Sequence, residues 1–330
     1  MFFQKNKKII IILSIFTLLF AIVFYFVNPF KEKNNKKDKT IKIATALEST
    51  RDFLEGDFKN EFKNKNIDLK VFFLHDQFAK TNELLLKDEV SAILDSHLPF
   101  AVNKDKSKNK LDGQKLFVVR PFYLPKIGLY SCPTRNTTKK IKNVNDIKQI
   151  GLNSLQNQAP IVFKILLSED IEQESFFLLF LEKIGLIQIK DNIDKKKIKL
   201  FDKTHFTIPS YIKIITEPNL IPLYNKFMNE DDIHFFINYP GILGKNRFNL
   251  NVIESLPVPS DLNDPIYDYT ISLITKKDNI ISEKFKIFMD TLSQPKWIDM
   301  LNKKYNGYLH MIPMDQVEHI SLNVNERFKY

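Results

Sequence analysis

The chain has 330 residues, of which 44% are hydrophobic, enough for one large domain or two ordinary lobes around a packed core. Its formal net charge is +10, but eight lysines against Glu32 and Asp38 put +6 on residues 1–40 and leave +4 on the other 290. A nucleic-acid binder concentrates charge on its folded domain, so that class is excluded, and a single cysteine, Cys132, excludes intrachain disulfides and cysteine-rich metal sites.

Ile9 to Asn28, "IIIILSIFTLLFAIVFYFVN", is uncharged over twenty residues, long enough to cross a bilayer as a helix. Lys5, Lys7 and Lys8 precede it in a short tail, 1–8. No small-residue cleavage pattern and no lipid-attachment cysteine follows, so the segment reads as an uncleaved signal anchor. Residues 29–40, including "KEKNNKKDKT", read as a flexible tether to a domain on the extracellular side.

From Ile41 onward, β-rich and helical patterns alternate. Strands are predicted at 41–47, 67–74, 90–94 and 115–123, with "RDFLEGDFKNEFKN" and "DQFAKTNELLLK" as helices between the first three. That order implies a parallel sheet with right-handed crossovers. A second series follows, with strands at 126–131, 149–153, 211–216 and 232–238. Its helices are predicted at "APIVFKILL", "EQESFFLLFLEKIG" and "NLIPLYNKFM". A strand over 267–275 and two helices, "SEKFKIFMDTL" and "PKWIDMLNKKY", come next. The fold class is α/β.

"KDEVSAILD" (87–95) and "EDDIHFFIN" (230–238) share one pattern of helix end, acidic turn, buried strand and polar residue. Asp95 and Asn238 therefore occupy equivalent strand ends, where open α/β sheets place their ligands. Phe78, Phe100 and Tyr239 offer apolar walls there, and Asp95, Ser96, His97 and Asn238 offer polar atoms, the composition of a small-molecule site. The plainer reading makes the rings core residues and His97 a turn residue. A metal reading groups His75, His97 and His234 with Asp76, Asp95 and Asp232, although His234 lies inside its strand. G-x-G-x-x-G, the phosphate-binding loop, G-x-S-x-G and H-E-x-x-H are all missing from the sequence, so neither a nucleotide cofactor nor hydrolytic chemistry is expected.

Several stretches, in order, resemble a known family. These are "KIGLYS" with "KKIKNVNDIK", "LEKIGLIQIKDNID", "NLIPLYNKFMNEDDIHFFINYPGIL", "NDPIYDYTISLITKKDN" and "KKYNGYLHMIPM". Over 41 to about 313 they are similar to the NlpA-type methionine-binding lipoproteins, substrate-binding subunits of ABC uptake transporters. The resemblance implies a two-lobed periplasmic-binding-protein-like (type II) fold, with lobe one at 41–125 plus 253–330 and lobe two at 126–252. It implies closure of the lobes on an amino acid or short peptide, no cofactor and no catalysis, and work with an ABC permease and its ATPase.

The family's pocket carries over unevenly. His97 matches its histidine and Ser96 replaces a glutamine. Asp95 stands for an aromatic residue, Phe100 and Phe78 for tyrosines, and Tyr269 for an asparagine. Asn238 and Tyr239 match an asparagine and a tyrosine. The arginine that holds the ligand carboxylate falls on Pro160 or Phe176, so its bidentate contact is missing. Two alternatives to an amino-acid importer follow: a surface interaction protein that keeps the fold, and a metal-binding ABC subunit.

Overall fold

The computed structural model describes residues 39–75, 77–103, 116–218, 220 and 222–328. The expected membrane span, Ile9–Asn28, and nearly all of the tether lie outside them. Among the described residues no helix is long and apolar enough to cross a membrane.

The chain opens with β1 (Thr40–Thr45), α1 (Glu48–Glu55), α2 (Asp57–Lys63), β2 (Asp68–Phe73), α3 (Phe78–Leu86), β3 (Ala92–Ser96), α4 (Leu98–Asn103) and β4 (Leu116–Pro125). It continues through β5 (Gly128–Ser131), α5 (Val144–Gln156), β6 (Phe163–Ser168), α6 (Ile171–Lys183), β7 (Gln188–Ile189), β8 (Phe206–Thr207), β9 (Ile212–Glu217), α7 (Leu223–Asn229), β10 (Phe235–Asn238), α8 (Pro240–Leu243) and β11 (Asn251–Ser255). A 3-10 turn, Pro265–Tyr269, leads into β12 (Ile271–Lys276). Then come α9 (Lys277–Ile280), α10 (Glu283–Leu292), α11 (Pro295–Lys304), β13 (Leu309–Met311) and α12 (Met314–Arg327).

Two main sheets result. The first has the order β13-β4-β12-β3-β1-β2 and the second β11-β5-β10-β6-β9. β1 and β3 pair in parallel, as the alternating pattern implies, but β12 runs antiparallel to both β3 and β4. The first sheet is therefore mixed, because the returning chain inserts β12 beside β3. In the second sheet β6 runs parallel to β9 and β10, and β5 runs antiparallel to β10 and β11. The chain passes between sheets at Lys126–Ile127 and again after Ser255. The crossings are tied together where the Leu256 amide donates to the Ile127 carbonyl at 2.9 Å.

Alternation along the central strands divides the core. In β10, Phe235 and Ile237 join the cluster between the sheets, while Phe236 joins Tyr130, Leu166 and Phe227 on the outer face. Outside the first sheet, Phe53, Phe58, Phe62, Phe288 and Trp297 form a separate aromatic layer. The cluster between the sheets is continuous: Ala44, Ile93 and Leu98 share it with Leu129, Ile165 and Phe176.

The helix expected over 51–64 is broken at Gly56 into α1 and α2, and three other expected elements differ in type or start. Residues 149–153 lie in α5 and form no strand: an Asn143–Asp146 capping box starts the helix, and Val144, Ile147, Gly151 and Ser154 recur on its buried face. The stretch 159–167, expected as helix, holds β6, which has parallel neighbours on both sides. A strand buried on both faces is mostly apolar, here with Lys164 alone reaching out, and carries no clear period of two. The strand expected from 267 begins only at Ile271, because Asp264 caps the 3-10 turn by accepting from the Ile266 amide.

Candidate ligand-binding site

β3 ends at Ser96, and His97 follows directly, ahead of α4. Its Nδ1 accepts from the Phe100 amide at 3.2 Å, which leaves Nε2 to carry the proton of the neutral ring. His97 is only 6% exposed, and burial pushes it down to about 4, against the opposing influence of Asp170. Its ring meets Phe100 at 6.2 Å and Tyr269 edge-on at 5.1 Å, and Phe100 in turn meets Phe78 at 6.2 Å.

The second sheet contributes through α6 and the end of β10. Phe176 stacks on Tyr269 at 4.7 Å with only 12° between the planes, and it also meets Tyr239 at 6.4 Å. The Tyr269 hydroxyl donates to Ser175 Oγ at 2.5 Å and the Tyr239 hydroxyl donates to Gln173 Oε1 at 2.6 Å. Burial drives both phenols well above the ordinary tyrosine range. From Phe176 to Leu181 every residue of α6 is buried, which is what "FFLLFL" gives when a helix is enclosed on all sides.

Phe78, His97, Phe100, Tyr239 and Tyr269 are thus brought into one run of rings, with Phe176 as the link between the sheets. Asp95 lies beside it at the end of β3. Its Oδ2 accepts from the Ala46 amide at 2.9 Å, and burial pushes the carboxyl up to about 7 despite that bond and the nearby Thr81 hydroxyl. Ser96 is buried next to it. Asn238 is fully buried at the end of β10, where Nδ2 donates to the Leu220 carbonyl at 3.4 Å and Oδ1 accepts from the Tyr239 amide.

Of the two positions for the absent arginine, Pro160 is exposed ahead of β6 and Phe176 stands among the rings. All five arginines of the chain are engaged elsewhere. Arg51 pairs with Glu48 and Asp52, and Arg120 donates to Ser293. Arg135 donates to the Ile233 and Phe227 carbonyls, Arg247 lies over Tyr308, and Arg327 pairs with Asp268. The charged groups that act on His97, Tyr239 and Tyr269 are all carboxylates: Asp170, Glu172 and Asp268.

Sequence reasoning missed Asp170, Gln173 and Ser175. Their signal was the turn from β6 into α6, another strand end of the kind that forms α/β sites. Among the described residues no three His, Cys, Asp or Glu side chains converge to hold a metal. His234 packs edge-on against Phe163 and accepts from the Lys164 amide, and Asp76 lies outside the described residues. Aromatic rings with a neutral imidazole, an amide and a carboxyl are the residue types of a small-molecule site.

The family model for NlpA lipoprotein matches residues 41–205. The methionine-binding lipoprotein MetQ of Bacillus subtilis (strain 168) is 26% identical over 246 residues, 74% of this chain and 78% of that one. Among solved structures, a putative methionine-binding lipoprotein of Bacillus subtilis superposes with a TM-score of 0.62 at 19% identity. It covers 84% of this chain and 99% of that one. A YaeC-family lipoprotein of Enterococcus faecalis V583 gives 0.61 at 23% identity, covering 84% and 100%. These likenesses carry the two-lobed, periplasmic-binding-protein-like α/β fold.

Proposed function

The chain belongs to the NlpA lipoprotein family, and from that premise we propose that it is the substrate-binding subunit of an ABC importer. As a member of this family it is a binding protein rather than an enzyme. Its ligand is an amino acid of methionine-like shape, or a short peptide, held where the ends of β3 and β10 meet. The observation that carries this reading is the placement of His97, buried beside Tyr269 in the run of rings that joins both sheets. Phe78 and Phe100 pack the apolar part of the ligand, and His97, Asp95, Ser96, Asn238, Tyr239 and Tyr269 supply its polar contacts.

With Phe176 among the rings and every arginine engaged, no guanidinium meets a free carboxylate. A ligand with that group blocked is therefore favoured. Lobe one comprises 41–125 plus 253–330 and lobe two 126–252, and the loaded form docks on a permease driven by its ATPase. Attachment at the extracellular face uses the apolar segment 9–28, because the only cysteine, Cys132, is buried with its Sγ 3.1 Å from the Thr134 hydroxyl.

Thermal shift with methionine, methioninamide and methionine-containing dipeptides tests this. Methioninamide or a dipeptide should raise the melting temperature more than methionine does, and His97→Ala should remove the shift. No stabilisation by any of them at saturating concentration would sink the importer reading. That result would favour the second one, a surface interaction protein with its cleft held shut. The direct stacking of Phe176 on Tyr269 and the Tyr269–Ser175 hydrogen bond favour this alternative.

A further inference from the structure

Beside the two crossings lies an open depression of about 660 Å³, within the size range of small-molecule sites. It shares no residue with the run of rings. Lys126 of the first crossing and Val258 of the second both line it, and β13 and α11 complete it. Its floor is apolar: Leu124, Tyr267, Met311 and Ile312 are all buried. Its rim is polar and carries Lys126, Lys303, Asn302, Asn306 and Gln316.

The charges on this rim are unbalanced. Neither Lys126 nor Lys303 has an ion-pair partner among the described residues, and Asp299 is the one carboxylate on the lining. His310 adds no charge at neutral pH, because burial, and then Lys126, hold it below the ordinary imidazole range. An apolar floor with two ammonium groups against one carboxylate on its rim matches a ligand of the same make-up.

We propose that this depression binds a small organic anion with a short apolar chain, its charge met by Lys126 and Lys303 and its chain laid on Val258, Leu309 and Met311. The site is separate from the cleft between the lobes and does not depend on what the cleft binds. Because Lys126 and Val258 belong to the two crossings, the bound anion touches both.

Isothermal titration of the full chain in lipid nanodiscs, with empty nanodiscs as blank, tests the proposal. Hexanoate is the probe, and hexanol and hexylammonium are the charge controls. Hexanoate should bind, hexanol at least about tenfold more weakly, and hexylammonium more weakly still. Lys126→Gln and Lys303→Gln should each weaken hexanoate about threefold or more, the effect of losing one exposed charge contact. Asp299→Asn should strengthen it about twofold, a gain that misfolding cannot produce. Failure of hexanoate to bind at millimolar concentration, equal binding of the three probes, or an affinity unchanged in all three variants would overturn the proposal.

Discussion

At the end of β3, Asp95 and His97 act on stability in opposite directions as pH changes. Burial lowers His97 from 6.5 to about 4, so on acidification the unfolded chain takes up that proton first. Its contribution is whole above 6.5 and is lost as pH falls to 4. Burial raises Asp95 from 3.8 to about 7, so its contribution is whole at low pH and is lost as pH rises to 7. Each effect amounts to roughly 3–5 kcal/mol at most, so the two slopes nearly cancel between pH 4 and 6.5. Asp95→Asn is neutral throughout. It should melt above the wild type at pH 8 and lose stability more steeply than the wild type between pH 6.5 and 4. Melting curves across that range check both, and equal melting temperatures at pH 8 would contradict burial as the main influence on Asp95. The position of both residues at a strand end was legible in "VSAILDSHLPF". Their protonation was not, since it depends on how completely other elements cover them.

Among the elements, α5 shows where reading a local window goes astray. "QIGLN" looks like alternation, and only the longer spacing Val144, Ile147, Gly151, Ser154 reveals one helical face. Gly151 is on that face because a Cβ there would lie 2.4 Å from Cδ2 of Tyr211, whose ring is nearly buried. Gly→Ala in a helix ordinarily stabilises by about 1 kcal/mol. Gly151→Ala should instead destabilise by about 1–3 kcal/mol, the usual cost of overpacking. Placed in a Tyr211→Ala background, the same change should become neutral or favourable. A double-mutant cycle by urea denaturation measures this, and an additive result would show that Tyr211 does not set the requirement for glycine. β6 was misread for the complementary reason: a central strand and a buried helix are both mostly apolar, so a short run does not tell them apart.

For the whole molecule, the question is whether the two sheets behave as one body. The cluster between them is continuous. In addition, Tyr269 donates to Ser175, and Lys183 of α6 pairs with Asp264 ahead of β12. Unfolding should therefore be a single transition. The chain supplies its own probes, since its one tryptophan, Trp297, lies in the cluster outside the first sheet and its one cysteine, Cys132, in the outer cluster of the second. Trp297 fluorescence and thiol accessibility of Cys132 should follow the same denaturation curve. Two separated midpoints would mean that the sheets unfold independently.

By itself the sequence determined the α/β class and most strands and helices, and it put Asp95 and Asn238 at or next to strand ends. These follow from local periodicity and from the turn chemistry at strand ends. Tertiary structure decided the insertion of β12 antiparallel to β3, the strand at 163–168, and the neutral state of His97. It also decided the placing of Phe176 between Tyr269 and Tyr239. Each of these depends on which distant segments come together to exclude water, and no window of neighbouring residues encodes that.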